Sequence, residues 1–477
     1  MQTIGGPAAP LRPALPERTR LLLEGPVLPT LLRLAAPNVG EAAARIAFIA
    51  CDALFVAWLG TDALAGVSLV FPIFLVMQMM SAGGLGAGVA AAVARAMGAG
   101  RREEAEAVAA HGVLLAVLLA ALFAIVMLLD GPALYRAMGA EGASLDAAIL
   151  YSNLLFAGGV AVWLMNTLAN AVRGTGNMIV PAGAIVAGEA VHLALSPALI
   201  LGFGPFPQLG VAGAAIAILA CYATGSAILL AYLLSGRSAL RLTRAAFRPR
   251  RAQAAAILRV GAPSGLNVVQ FQLTTLAITG LVAGFGAEAV AGFGAATRLE
   301  LLQIPILFAL GSAVIAMVAT NMGAGELARA RRIAWTGVGL SVLIGGDFGR
   351  AAPRLRGSWV ALFTDPPAVA RAGAAYLRAV GPAYPFLALG LGLFFAAQGA
   401  GRAGMPFLIG TVRLAFVAAG GGLVVTMWAG GPTDLFLLVA ASSVVFGLGM
   451  LAVTRPMFGG GARPASALGR PAAAQAR

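Results

Sequence analysis

The stretch Pro37–Asp62, PNVGEAAARIAFIACDALFVAWLGTD, decides the fold. It reads as a membrane-spanning helix with a proline near its start and one carboxylate, Asp52, among Ile, Ala, Leu, Phe and Val. An ionised aspartate at bilayer depth costs roughly 2.5–3.5 kcal/mol on insertion scales, so it persists only where a partner, a water cavity or a proton compensates it. Asp52 is therefore the first candidate for chemistry.

The surrounding chain has the same character. Of its 477 residues 60% are hydrophobic and 10% charged, with a mean hydropathy of +0.91, whereas a soluble domain is about 25% charged. Twelve apolar runs are each long enough to cross a hydrocarbon core of ~30 Å. Barrel strands would instead alternate over ~10 residues. The net charge of +14 does not mark a nucleic-acid binder, because the basic residues sit in short clusters between apolar runs. Cys51 and Cys221 both fall inside apolar runs, which excludes a disulfide framework and gives no metal site. The segment up to Gly25 lacks the short apolar core and cleavage site of a signal peptide.

Arginines cluster at nearly every even-numbered junction, from Arg95, Arg101 and Arg102 to Arg455. By the positive-inside rule both termini are expected in the cytoplasm. The chain also repeats itself. LGTDALAG after Pro37 returns as FGAEAVAG after Pro263 at an offset of 226, and MGAG at Met97 returns at Met322 at an offset of 225. RGTGN at Arg173 and Pro181 match QGAGR at Gln398 and Pro406 in the same register. The expected fold is an all-α integral membrane protein of twelve transmembrane helices, in two six-helix lobes related by a pseudo-two-fold along the membrane normal. The expected divisions are a cytoplasmic segment 1–27, an N-lobe 28–234, a basic linker 235–253, a C-lobe 254–457 and a disordered tail 458–477. The ninth run breaks the pattern, ending in DFGRAAPRLRGSW from Asp347, either a genuine polar exit or a compensated frame slip.

Ionisable groups inside the runs are the candidate site: Glu41 and Asp52 in the first, Glu189 and His192 in the fifth, and Arg298, Glu300 and Arg413 in the second half. Glu189, His192 and Ser196 share one helix face. Carboxylates with an imidazole suit a proton site, although His192 could equally be a packing residue that Glu189 neutralises. Glu41 is expected near the headgroups, Arg298 and Glu300 as a local pair, and Arg413 as reaching the basic interface. Pro37 is either a hinge or a tolerated first-turn proline. Asn38, Glu41, Met77, Gln78, Asn153, Asn166, Gln270 and Gln272 are candidate cavity residues, with the methionines suiting an adaptable wall.

These motifs, in order, resemble the multidrug and toxic compound extrusion (MATE) family, and within it the prokaryotic branch of the DNA-damage-inducible protein F exporters. The resemblance rests on LAAP, CDALFVAWLGTDALAGV, VARAMGAGRREEA, NAVRGTGN and SPALILGFGPFPQLGVAGAAIA, then GAPSGL, FGAEAVAGFGAATRLE, NMGAGELARARR and ALFTDPPAV. It implies a secondary exporter that moves organic cations or other amphipathic small molecules by alternating access, in exchange for protons or sodium and without a bound cofactor. The implied coupling carboxylate is Asp52, and Pro37 the implied bend. Where the branch has Asn and Asp in the fifth span, this chain has His192 and Ser196, and Ile218 replaces a threonine, which shifts the expectation from sodium towards protons. The coupling carboxylates of other branches fall near Phe271 and Leu387, so no ion site is expected in the C-lobe.

The remaining expectations are a monomer in a bacterial inner membrane, with no nucleic-acid partner. The competing readings are a lipid or polysaccharide-precursor flippase of related architecture, which would need several cavity cations, and a membrane enzyme or receptor. No Ser/His/Asp arrangement supports an enzyme.

Overall fold

The structure is a computed structural model that describes residues 16–426 and 431–457, with the side chains of residues 47–54, 57, 425 and 426 outside that description. The tail 458–477 assigned above to disorder lies outside the described residues. A short helix, α1 (Glu17–Glu24), leads into α2 (Val27–Ala57), which at 31 residues is about 46 Å long. Then follow α3 (Thr61–Met79), a π turn at Met80–Gly86, α4 (Ala87–Gly98) and α5 (Arg102–Ala137). The lobe ends with α6 (Gly142–Ala157), α7 (Val160–Gly174), α8 (Ile179–Leu201) and α9 (Val211–Leu234). The second lobe holds α10 (Arg251–Ala283), α11 (Ala287–Ala324), α12 (Leu327–Ala361) and α13 (Pro367–Val380). It closes with α14 (Tyr384–Gly399), α15 (Gly404–Thr426) and α16 (Pro432–Thr454).

Among the described residues nine helices or joined helices are long and apolar enough to span a membrane, and the pair α6–α7, bent by 45°, makes a tenth. The other two spans, α2 and α12, have the length but carry charge. The helix starts reproduce the repeat: α3 and α11, α5 and α12, and α8 and α15 begin 225 or 226 residues apart. Gly60 and Gly286, which precede α3 and α11, adopt φ 100° and 97°, a region closed to side-chain-bearing residues. The turn therefore cannot slip in either lobe.

The lobes join through their basic ends. A Cβ on Gly98 would lie 1.9 Å from the Thr320 carbonyl oxygen, and one on Gly323 would lie 2.0 Å from that of Arg95. Each residue of the first contact has its counterpart in the second at an offset of 225, so the MGAG motifs form a pseudo-symmetric crossing of α4 and α11. Asn38 donates to Ser312 at 2.7 Å, Gln398 to the Gly83 carbonyl at 3.3 Å and Asn321 to the Leu22 carbonyl at 3.1 Å. One apolar cluster runs through both lobes here, from Leu31 and Ala91 to Ala313 and Val318. Towards the other end, a separate C-lobe cluster runs from Ile278 to Val439 with no N-lobe member.

The ninth span is an unbroken helix. Gly345, Gly349 and Ala352, one face at i, i+4 and i+7, pack on Tyr384, Ala388 and Gly381, where added Cβ atoms on the glycines would come within 2.5–2.8 Å. The charges lie on the exposed face, where Arg350 donates to Asp347.

The linker is fastened rather than loose. The Arg250 N–H donates to His111 Nε2 at 2.9 Å, so Nδ1 carries the ring hydrogen and donates to the Ala107 carbonyl at 2.7 Å. Glu106 Oε1 accepts from the Arg241 N–H at 3.1 Å and from Arg102 Nε at 3.0 Å. His111→Ala is expected to cost about 1 kcal/mol locally and to speed tryptic cleavage after Arg248–Arg251. Unchanged cleavage would show that His111 does not hold the linker.

Candidate functional site

Inside the N-lobe, α2, α7 and α8 bring four charges into a chain. Arg173 Nη2 meets Glu41 Oε2 at 2.5 Å, Arg45 Nη2 meets Glu41 Oε1 at 3.5 Å, and Arg45 Nε meets Glu189 Oε1 at 3.6 Å. Their side chains are 12% exposed or less, apart from Arg45 at 25%. Two carboxylates thus alternate with two guanidiniums, and the set is neutral. That balance is what lets α2 lie in hydrocarbon, since an unpaired buried charge is far costlier than a paired one.

Arg45 and Glu189 border a cavity of about 30 Å³ lined also by Gln78, Cys221, Tyr222 and Phe74. It has room for about two waters. Gln78 Nε2 donates to Tyr222 Oη at 2.6 Å across it.

Several candidates named from the sequence gather here. Glu41 is the most engaged carboxylate of the cluster, paired with both Arg45 and Arg173. Glu189 pairs with Arg45, and its Oε2 has no hydrogen-bond partner among the described residues. His192 and Ser196 follow on the same face of α8, 1% and 0% exposed, and Ser196 Oγ likewise lacks a partner among those residues. Asp52 lies three turns beyond Glu41 on α2, and its side chain is outside the described set.

Pro37 sits inside an unbroken α2. Met77 is buried, and Asn166 donates to Ser81 at 2.6 Å, which donates to the Gln78 carbonyl at 2.8 Å. Asn153 on α6 is half-buried with Oδ1 unbonded among the described residues, and Gln272 is half-buried on α10. Sequence reasoning missed Arg45, Arg173 and Tyr222. Only Arg45 left a signal, four residues after Glu41 and so one turn along the same face.

The C-lobe differs. Phe271 occupies the position of Arg45, at an offset of 226, and faces Arg413 at 5.7 Å from ring centroid to guanidinium carbon. Phe446 lies 5.4 Å away on the same guanidinium. Arg413 does not reach the basic interface: it is 8% exposed, with Nε unbonded among the described residues. Glu300 and Arg298 are not a local pair either. Glu300 accepts from Tyr376 Oη at 2.6 Å, while Arg298 lies over Phe363 at 4.5 Å. Among the described residues, this lobe therefore presents a buried arginine with aromatic neighbours and Glu300 near enough to attract it, and its salt bridge, Arg350–Asp347, lies on the exposed face of α12.

The chain is 32% identical over 314 residues to an FAD transporter of Shewanella oneidensis, covering 65% of this chain and 69% of that one. It is 30% identical over 443 residues to a probable multidrug resistance protein NorM of Deinococcus radiodurans, covering 89% and 94%. Its fold matches a MOP superfamily transporter from Pyrococcus furiosus with a TM-score of 0.86 at 24% identity, over 93% of this chain and 98% of that one. An outward-facing multidrug resistance MATE family transporter also matches at a TM-score of 0.86 and 24% identity, over 96% and 100%. The MatE family model covers residues 43–198 and 263–424, one stretch in each lobe, and the chain therefore belongs to the MatE family of multi-pass membrane transporters.

Proposed function

We propose that the chain is a monomeric secondary exporter of the bacterial inner membrane, with cytoplasmic termini, that exchanges protons for amphipathic small molecules. The observation that carries the reading is the buried chain of carboxylates and guanidiniums on α2, α7 and α8 beside a small cavity that Arg45, Glu189, Gln78 and Tyr222 share with apolar side chains. Asp52 is the proton acceptor, with Glu189, His192 and Ser196 on the facing span. The low oxygen count supports protons over sodium, because both Glu41 oxygens and one of Glu189 are already engaged by arginine. Protonation changes the charge of the cluster and biases the Pro37-bearing helix towards the conformer that releases cargo. Each charge moved gains about 2.3 kcal/mol per 100 mV of membrane potential. The gradient is the energy source, and no cofactor enters.

The test is substrate-driven proton release from proteoliposomes, run under imposed proton and sodium gradients. Asp52→Asn is expected to abolish it; undiminished exchange in that variant removes Asp52 from the mechanism.

One observation favours a second reading of the cargo. The guanidinium of Arg413, faced by Phe271 and Phe446 with Glu300 near enough to attract it, suits a flat aromatic ligand, and one relative is an FAD transporter. Flux of a flavin nucleotide, compared with rhodamine 6G in the same vesicles, decides between them. The flippase reading has less support, since Arg45 and Arg173 are neutralised by carboxylates.

A further inference from the structure

At the basic end of the C-lobe a groove of about 760 Å³ opens between α10, α15 and α16. Arg259 and Arg402 stand on its walls, Met405 and Val453 supply apolar surface, and no carboxylate lines it. Arg95, from the other lobe, reaches its edge: Nη1 donates to the Gly399 carbonyl at 3.4 Å and lies 3.2 Å from where a Cβ of Gly401 would be. Arg95 and Arg259 are near enough to repel each other, and Glu104 on α5 is the carboxylate near enough to attract Arg95. Converging like charges beside an apolar wall call for an anion with an apolar portion.

The internal repeat supplies a control. At offsets of 225 and 226, Arg259, Gly401, Arg402 and Met405 correspond to Arg33, Gly176, Asn177 and Val180. There the chain closes the site itself. Asn177 donates to Tyr232 Oη at 3.0 Å and its Oδ1 accepts from the Val180 N–H at 3.3 Å, capping the first turn of α8. Leu22 of α1 lies on Gly176, 2.9 Å from where its Cβ would be.

In the C-lobe neither closure is present among the described residues. Arg402 replaces the capping asparagine, and the segment in register with α1, around Arg244–Phe247, belongs to the linker, which Glu106 and His111 tie to α5. Among the described residues, the groove is thus the one of two equivalent sites without a cover from the chain itself.

We propose that this groove binds an anionic phospholipid of the leaflet at the basic end, with Arg259 and Arg402 on the phosphate and an acyl chain along Met405 and Val453. Arginine is suited to the task because its fork of N–H groups matches phosphate oxygens. With Arg95 at the rim, the headgroup also neutralises charge where the two lobes meet, so its binding steadies the joined basic end. The proposal does not depend on the cargo or the coupling ion.

Native mass spectrometry of the detergent-purified, delipidated protein tests it, with dioleoylphosphatidylglycerol, dioleoylphosphatidylcholine and inorganic phosphate as probes. Phosphatidylglycerol is expected to be retained at least about fivefold better than phosphatidylcholine, and Arg259→Gln with Arg402→Asn to weaken that retention about tenfold or more. Asn is the residue the other lobe carries at this position, so the variant is compatible with the local fold. Arg33→Gln, at the covered counterpart, is expected to change nothing.

Equal retention of the two lipids overturns the proposal, as does full retention by the double variant. Inorganic phosphate that displaces the lipid at equal concentration overturns the lipid source. Hydrogen exchange on the wild type gives a readout free of mutation: phosphatidylglycerol should slow exchange across 399–405 and leave 174–180 unchanged, and the reverse pattern refutes the site.

Discussion

Gly98→Ala is expected to part the two lobes at their basic end, and Gly323→Ala to do the same from the other side. In each case the new methyl would overlap a backbone carbonyl of the facing helix, at 1.9 and 2.0 Å. Backbone cannot swing aside as a side chain does, so α4 and α11 must separate. Overpacking of this kind costs about 1–3 kcal/mol, and here the cost falls on one conformer, the one joined at this crossing. Each variant should therefore lower thermal stability and shift the population away from the joined state. Because both contacts belong to one helix pair, the double variant should cost less than the sum of the singles.

Maleimide labelling of an Ala91→Cys probe, made with Cys51→Ser and Cys221→Ser, reads the shift directly. Ala91 is fully buried in the cluster shared by the lobes, so labelling should be slow until Gly98 or Gly323 is substituted. Unchanged labelling with unchanged stability would mean the crossing tolerates a methyl and does not lock the lobes.

The same glycines explain why so much of the fold was legible. Motifs such as LGTD and MGAG recur in register because a positive-φ turn and a backbone crossing each admit only glycine, so the spacing between them is held. The apolar runs of α2 and α12 were visible in the sequence, although their charges keep these helices from the strictly apolar spans; the repeat ties α2 to α10 and α12 to α5. The site was less legible for a physical reason. Arg45 and Glu189 are 144 positions apart and meet only when α8 docks on α2.

Arg413 was misplaced because a long side chain can snorkel, and only the docking of Phe271 and Phe446 fixes it inside. In α12 the charges of DFGRAAPRLR drew attention from the small-residue spacing Gly345, Gly349 and Ala352, which was present in the sequence and carries the packing.

The N-lobe chain of charges makes the second large prediction. Arg45 is the residue that links its halves: Glu41 keeps Arg173 at 2.5 Å if Arg45 is lost, but Glu189 has no other arginine within ion-pair distance among the described residues. Arg45→Met should thus leave one carboxylate, only 9% exposed, without its counter-charge. Breaking a buried pair from one side costs about 3–5 kcal/mol, much more than replacing both members by neutral groups. The expected order of thermal stability is wild type, then Arg45→Met with Glu189→Gln close behind, then Arg45→Met well below. Adding Glu41→Gln to Arg45→Met should recover nothing, because that substitution strands Arg173 instead.

If the single and the double variant unfold together, the loss comes from the packing of the arginine stem and not from its charge. Transport separates stability from coupling. The Arg45→Met, Glu189→Gln protein should be folded yet export poorly, since it retains the helix contacts but has lost the ionic link between α2 and α8. Export at the wild-type rate by that folded protein would make the link structural and leave Asp52 to act without it.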